Sequence, residues 1–205
     1  MQTEVLKADH PTALPHAADV LKHGGIVAFP TDTVYGLAAL PTLEDSIESL
    51  YIIKGRSHVK AIAILMSHYS ELDQVAKQIS PLTEALAKNF WPGPLTLIVP
   101  RRARLPKNLS ETNTIGVRVP DHPVTLRLLQ MTGPLAVTSA NLSGEANART
   151  AREVLKQLDG RFHLLIDGGE TPGGVPSTVV DCTGRVPEVL RTGPISEAQI
   201  KSIVS

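Results

Sequence analysis

Short apolar runs alternate with stretches of helical spacing and then crowd together near the C-terminus, which restricts the folds open to this chain more than any single motif. Residues 11–23 carry Leu14, Ala17, Ala18 and Leu21 at helical spacing and are closed by Gly24-Gly25. Residues 25–30 read as a strand, and 31–40 as a turn leading into a second short strand. Thr42 predicts the cap of a helix over 43–54, with Ile47, Leu50, Tyr51 and Lys54 on one face. An apolar strand at 61–66 precedes helical stretches at 71–79 and 82–90. Trp91-Pro92-Gly93-Pro94 forces a stop before a strand at 95–100. After a basic, irregular stretch at 101–113 come a strand at 114–119, a helix at 124–131 and a strand at 134–138. Thr150 caps a helix running to about 158, strands follow at 164–167, 177–182 and 187–191, and a last helix lies near 197–204. Purely wound βαβ units would need more helices in the last third. The expected class is therefore α/β, with a mixed parallel/antiparallel sheet flanked by helices.

At 205 residues the chain suits one large domain or two small ones. No linker, repeat or low-complexity tract divides it, so a single unit over 1–205 is expected. Apolar residues make up 42%, enough for a packed interior, but aromatics only 3%, which leaves few platforms for stacking single-stranded bases. The 20 basic residues balance 20 acidic ones, whereas a general polyanion binder carries an excess of Lys and Arg. Cys182 is the single cysteine, so neither an internal disulfide nor a multi-cysteine zinc site is available. Its apolar surroundings in the sequence read as those of a buried, inert thiol. Met1 to His10 is polar with no signal core, and no apolar run reaches spanning length, so a cytoplasmic protein without membrane contact is expected. Neither a Gly-x-Gly-x-x-Gly fingerprint nor a Walker-type phosphate loop occurs, and no serine sits in a nucleophile-elbow pattern. The seven histidines lack ligand spacing, so no protein-held metal is expected.

Several segments could carry chemistry, and each has a structural alternative. Leu135-Ala136-Val137-Thr138 runs directly into Ser139-Ala140-Asn141-Leu142-Ser143-Gly144, a buried strand ending in a loop of hydrogen-bonding side chains. Open α/β sheets bind ligands beyond the carboxyl ends of such strands, yet Ser139, Asn141 and Ser143 could equally cap turn backbone. Lys54-Gly55-Arg56, with Lys60, places three cations in one connection, which either answers a helix macrodipole or awaits an anion. By alternation Arg118 shares a strand face with Gly116 and Thr114; it either forks onto a carboxylate or phosphate, or faces solvent on an edge strand. Pro30-Thr31-Asp32-Thr33-Val34-Tyr35-Gly36 packs hydroxyls, a carboxylate and a phenol together, with Asp32 a weak candidate base and turn-making the alternative. Gly168-Gly169 and Gly173-Gly174 bracket a loop before Ser177 that is able to approach a ligand closely.

Taken in order, GGIVAFPTDTVYGLAA, the KGR segment, WPGPLTLIV, TIGVRVPDHP, SANLSG, LIDGG with GVPSTVVD, and VLRTGPI resemble the YrdC-like family of threonylcarbamoyl-AMP synthases, from about residue 17 to 195. The resemblance implies a twisted sheet with a concave basic cleft, in the short single-domain form. It implies an enzyme that joins L-threonine, bicarbonate (or CO2) and ATP into threonylcarbamoyl-adenylate and pyrophosphate. A separate transferase complex would use the adenylate to modify the adenosine next to the anticodon of certain tRNAs. Lys54, Arg56, Ser139 and Asn141 match the family's Lys-x-Arg and Ser-x-Asn catalytic group. Arg56, Lys60, Thr114, Asn141, Thr150 and Arg191 match ATP contacts, while Thr33, Arg118, Ser139 and Ser177 match threonine contacts. Mg2+ would be carried mainly by ATP phosphates, and the assembly would be a monomer or homodimer. Ser57, Ala61 and Ile62 depart from the proline and Pro-Leu pair common there in the family, and Leu65 stands where some members have a histidine near threonine. Asn141 favours the synthase over a related subgroup that loses it. The competing class is an RNA-binding or assembly protein with a footprint over Arg101, Arg102, Arg104 and Lys107; a paralogue adenylating another amine-derived carbamate is the third reading.

Overall fold

In the computed structural model, which describes residues 2–204, the apolar runs become ten strands. These are β1 (Glu4–Lys7), β2 (Val27–Phe29), β3 (Gly36–Ala39), β4 (Ala63–Leu65), β5 (Leu95–Pro100), β6 (Thr114–Arg118), β7 (Leu135–Ser139), β8 (Leu164–Asp167), β9 (Thr178–Asp181) and β10 (Glu188–Arg191). They join one sheet in the order β1-β8-β2-β3-β7-β4-β6-β5-β9-β10. The pairs β1/β8, β8/β2, β4/β6 and β5/β9 are parallel and the remaining neighbours antiparallel, so the sheet is mixed as the late crowding of strands predicts. The helices are α1 (Ala13–Lys22), α2 (Glu44–Lys54), α3 (Leu72–Val75), α4 (Pro81–Phe90), α5 (Pro123–Thr132), α6 (Ala151–Leu158) and α7 (Glu197–Val204).

Alternation along the strands divides the core between the two faces of the sheet. Val27, Phe29, Ala38, Leu135, Leu164 and Ile166 pack against Leu14, Ala17 and Leu21 of α1 and Leu128 and Leu129 of α5. Ala28, Leu37, Ile64, Leu97, Val117, Ala136 and Val180 point the other way, onto Ile47 and Leu50 of α2, Leu86 of α4 and Val154 of α6. The first pair of helices covers only part of its face. Over β4, β6, β5 and β9 that same face presents Ala63, Leu65, Gly116, Arg118, Thr96, Ile98 and Val179 to a cleft.

Local chemistry sets the walls of this cleft. Gly55 adopts the left-handed conformation (φ 58°), and the Gly55 and Arg56 amides donate back to Ile52 and Tyr51 at 3.2 and 2.9 Å. That glycine-ended closure stops α2 and swings Arg56 out of the helix. Thr42 does not cap α2, contrary to expectation: Leu43 is the N-cap and makes no side-chain bond. Glu44 and Asp45 in the first turn supply the stabilising negative charge instead. The helix expected at 71–79 shrinks to α3, because Ala76 bridges to Arg101 and the Lys77 amide donates to Pro100, so sheet-like pairing takes the backbone that the helix would have used. Thr150 caps α6 as predicted, accepting from the Glu153 amide at 3.3 Å. β1 escaped the sequence reading because its side chains are mostly exposed and parallel backbone pairing with β8 holds it. Cys182 is buried, and burial pushes its thiol up to about 12, in keeping with an inert role. Among the described residues no helix is long and apolar enough to cross a membrane.

Candidate active site

Thr33, Arg56, Arg118, Ser139, Ser177 and Arg191, drawn from segments scattered along the chain, line one cleft of about 250 Å³. Register explains the convergence. Gly116 pairs with Ile98, Val179 with Thr96, and Arg191 with Val179, so these side chains share one face of the sheet. Ser139 ends β7, as a ligand loop beyond a strand end would. The hollow itself nevertheless opens over the sheet face, because α1 and α5 leave that area uncovered. Thr96 was not singled out from sequence; a lone polar residue alternating within the apolar run 95–99 is the signal that could have found it.

Three guanidiniums face this hollow. Arg118 is 5% exposed and β6 lies between β4 and β5, which removes the edge-strand alternative. Its Nε donates to the Gly93 carbonyl at 2.9 Å, its Nη1 to Thr33 Oγ1 at 3.1 Å, and its Nη2 pairs with Asp32 Oδ1. Burial lowers the Arg118 pKa while Asp32 pulls it back up. Arg56 is held by its own loop, with Nε donating to the Lys60 carbonyl and Nη2 to the Ala61 carbonyl, each at 2.9 Å. Arg191 donates through Nε and Nη2 to the Ser177 carbonyl at 3.0 and 2.9 Å, and through Nη2 to Ser177 Oγ at 3.2 Å. Burial, then repulsion from Arg118 and Arg56, lowers the Arg191 pKa. Among the described residues neither Arg56 nor Arg191 has a carboxylate partner, so positive charge is in excess in the cleft.

Hydroxyls supply the opposite chemistry. Thr33 Oγ1 lies 3.0 Å from Thr31 Oγ1, and Ser177 Oγ 2.7 Å from Thr96 Oγ1. The Tyr35 hydroxyl donates to the Gly169 carbonyl at 2.7 Å and accepts from the Gly168 amide at 3.2 Å; burial pushes it up to about 12, so it stays a phenol. The Gly174 amide donates to the Thr33 carbonyl at 2.7 Å, and a Cβ at Gly173 would lie 2.6 Å from the Asp32 carbonyl. The two glycine pairs thus back the 31–35 turn rather than arch over the cleft, and Asp32 is spent on Arg118 outside the lining.

Lys54, Lys60, Thr114, Asn141 and Thr150 lie outside the lining. Lys54 is 2% exposed; its Nζ donates to the Ser139 and Asn141 carbonyls, both at 2.5 Å, and lies 3.5 Å from Ser139 Oγ. Burial first, and Arg56 second, push Lys54 down to about 7. Asn141 Nδ2 donates to the Leu142 and Glu145 carbonyls at 2.8 and 2.9 Å, which folds the loop back on itself. Thr114 Oγ1 meets Thr112 Oγ1 at 2.8 Å, Thr150 is the α6 cap, and Lys60 contributes its carbonyl to Arg56. The basic stretch is likewise turned to backbone. Arg101 donates to Leu105 and Pro106 at 3.1 and 3.0 Å, Arg102 to Asp73, and Arg104 to Gln74 at 2.7 Å. None of these lines the cleft.

A family model described as telomere recombination, covering Sua5, YciO and YrdC, matches residues 19–193. The threonylcarbamoyl-AMP synthase of Bacillus subtilis (strain 168) is 38% identical over 205 residues, which covers 98% of this chain and 59% of that relative. Pyrococcus abyssi Sua5 complexed with L-threonine matches with a TM-score of 0.94 at 35% identity, over 100% of this chain and 61% of that one. Escherichia coli YciO matches with a TM-score of 0.86 at 28% identity, over 97% of this chain and 98% of that one. The chain spans about three-fifths of the length of the first two.

Proposed function

This chain belongs to the Sua5/YciO/YrdC family, and we propose that it is an L-threonylcarbamoyladenylate synthase, forming threonylcarbamoyl-AMP and pyrophosphate from L-threonine, bicarbonate or CO2, and ATP. One observation carries this reading: three guanidiniums face a single hollow beside a group of hydroxyls, and the one carboxylate paired with them, Asp32 on Arg118, stands outside the lining. The reaction brings a carbamate to a triphosphate. Its central difficulty is the approach of two anions, which fixed cations in a desolvated site relieve.

Donor counting supports a division of labour. A guanidinium has five N–H donors, and Arg118 uses three on Gly93, Thr33 and Asp32, one from each nitrogen. One donor remains on each Nη, the fork that a substrate carboxylate accepts in bidentate fashion. Thr33, Ser139 and Ser177 would then order the hydroxyl and amine of threonine. Arg56 and Arg191, free of carboxylates, would take the triphosphate, so rate enhancement comes mainly from alignment and charge stabilisation. Among the described residues no group of His, Cys, Asp and Glu side chains gathers that could hold a metal, so the residues do not fit a protein-held ion. Mg2+ belongs to this scheme only as part of the ATP substrate. Leu65 and Val137 in the lining would give the threonine methyl an apolar neighbour. The product would pass to a transferase complex for tRNA modification.

Incubation with ATP, Mg2+, bicarbonate and threonine should yield the adenylate by mass detection together with pyrophosphate, with less from serine. Absence of both products rejects the reading. Calorimetry should show ATP and threonine enhancing each other's binding. Salt-sensitive RNA binding in a protein that ignores nucleotide would favour the RNA-binding class instead.

A further inference from the structure

A deeply buried cation beside the cleft has chemistry that phosphate binding does not use. Lys54 is 2% exposed, shares no ion pair with any carboxylate among the described residues, and has Arg56 as its charged neighbour. A lysine ammonium offers three hydrogens. Two directions are taken by the Ser139 and Asn141 carbonyls, and the third points to Ser139 Oγ, 3.5 Å away. A neutral amine satisfies the same two carbonyls with its two hydrogens and turns its lone pair toward that hydroxyl. Ser139 lines the cleft and Lys54 does not, so the hydroxyl is the link between the buried amine and the bound substrates.

Resting on the synthase reading above, we propose that Lys54 is the proton acceptor of the reaction, drawing a proton from the ammonium of the amino-acid substrate through the Ser139 hydroxyl. In this step the Ser139 O–H proton passes to the Lys54 lone pair, while Ser139 Oγ takes a proton from the substrate ammonium. The substrate becomes a neutral amine able to attack CO2, Lys54 becomes an ammonium, and Ser139 is unchanged. The proton returns along the same path to water in the cleft after the adenylate leaves. Burial and the Arg56 charge both oppose protonation, which holds Lys54 at about 7, where an acceptor works best near neutral pH. The 3.5 Å separation is long for a hydrogen bond, as relay contacts commonly are before substrate closes on them. A merely structural lysine would use the same two carbonyls while staying charged.

The test combines a readout without turnover and one with it. Following the Lys54 13Cε resonance of the free protein from pH 5 to 11 should give a midpoint near 7; a midpoint above 9 overturns the proposal whether or not the adenylate forms. Wild-type kcat/KM, which reports groups of the free enzyme, should fall tenfold per pH unit below that midpoint. Lys54→Met should lose about a hundredfold in kcat and flatten the acid limb. Ser139→Ala, which keeps both backbone carbonyls and so guards against misfolding, should show the same loss in kcat beyond any rise in KM. Adenylate formation by either variant at wild-type kcat with an unchanged profile sinks the relay and leaves the synthase standing. No adenylate from wild type at any pH sinks the synthase reading and the relay with it.

Discussion

The cleft and the 101–107 stretch both concentrate basic residues, yet they treat charge in opposite ways. In the stretch, Arg102 and Arg104 lay their guanidiniums on the Asp73 and Gln74 carbonyls and so tie the chain after β5 to α3, while Arg101 closes its own loop onto Leu105 and Pro106. Arg102 and Arg104 are exposed, so their charge remains open to solvent, and Arg101 is half-buried. In the cleft, burial lowers the pKa of Arg56, Arg118 and Arg191, Arg118 and Arg56 lower that of Arg191 further, and among the described residues a carboxylate pairs with Arg118 alone. Uncompensated charge in a partly desolvated hollow costs stability, a cost that an anionic ligand would relieve. Density of basic residues along the chain therefore says little. Whether their partners are carbonyls, carboxylates or nothing decides what they do.

Breaking the one compensated pair should produce the largest effect. Arg118→Ala leaves Asp32 buried without its cation, and urea unfolding should show a loss of about 3–5 kcal/mol; removing Asp32 as well should return part of it. Arg56→Ala should do the reverse. The fold is kept by circular dichroism, while adenylate formation falls about a hundredfold, equivalent to about 3 kcal/mol of transition-state stabilisation. A variant at wild-type rate would end the claim that unpaired cleft charge is kept for the reaction.

Lys54 sharpens the comparison through pH. Its folded value lies near 7 and its unfolded value at about 10.4, so between them the unfolded chain holds the extra proton. Stability from this group is therefore lowest below pH 7 and rises as pH increases, by up to ~1.4 kcal/mol per unit. Between pH 7 and 9 the difference between wild type and Lys54→Met in urea should change with that slope; a constant difference would count against the depressed value. Smallest of all, Arg102→Ala and Arg104→Ala should each cost about 1 kcal/mol of stability, with turnover changed less than about twofold. A marked fall in turnover would extend the functional surface beyond the cleft.

Much of the architecture was legible because it rests on local pattern. The mixed sheet, the glycine stop after Lys54, the Thr150 cap and the strand running into Ser139 all follow from periodicity and from residue types with one conformational use. β1 and the shortened α3 were not legible, since backbone pairing with distant strands decides both. At the site, residues matched by family likeness separate into two shells. Thr33, Arg56, Arg118, Ser139, Ser177 and Arg191 line the cleft, while Lys54, Lys60, Thr114, Asn141 and Thr150 stand behind or beside it. Motif matching treats both shells alike, because the sequence carries no record of where a side chain points.

Apart from β1 and the length of α3, the amino-acid order alone determined which segments become strands and helices, and which side chains share a strand face, because these depend on neighbours two to four positions away. Tertiary structure decided where α1 and α5 stop covering the sheet, and hence that a hollow exists over β4, β6, β5 and β9. It also decided that Arg118 meets Asp32 while Lys54 meets two carbonyls. Burial and charge partners are properties of assembled space, and those set protonation and free donors, which is where the chemistry of this chain resides.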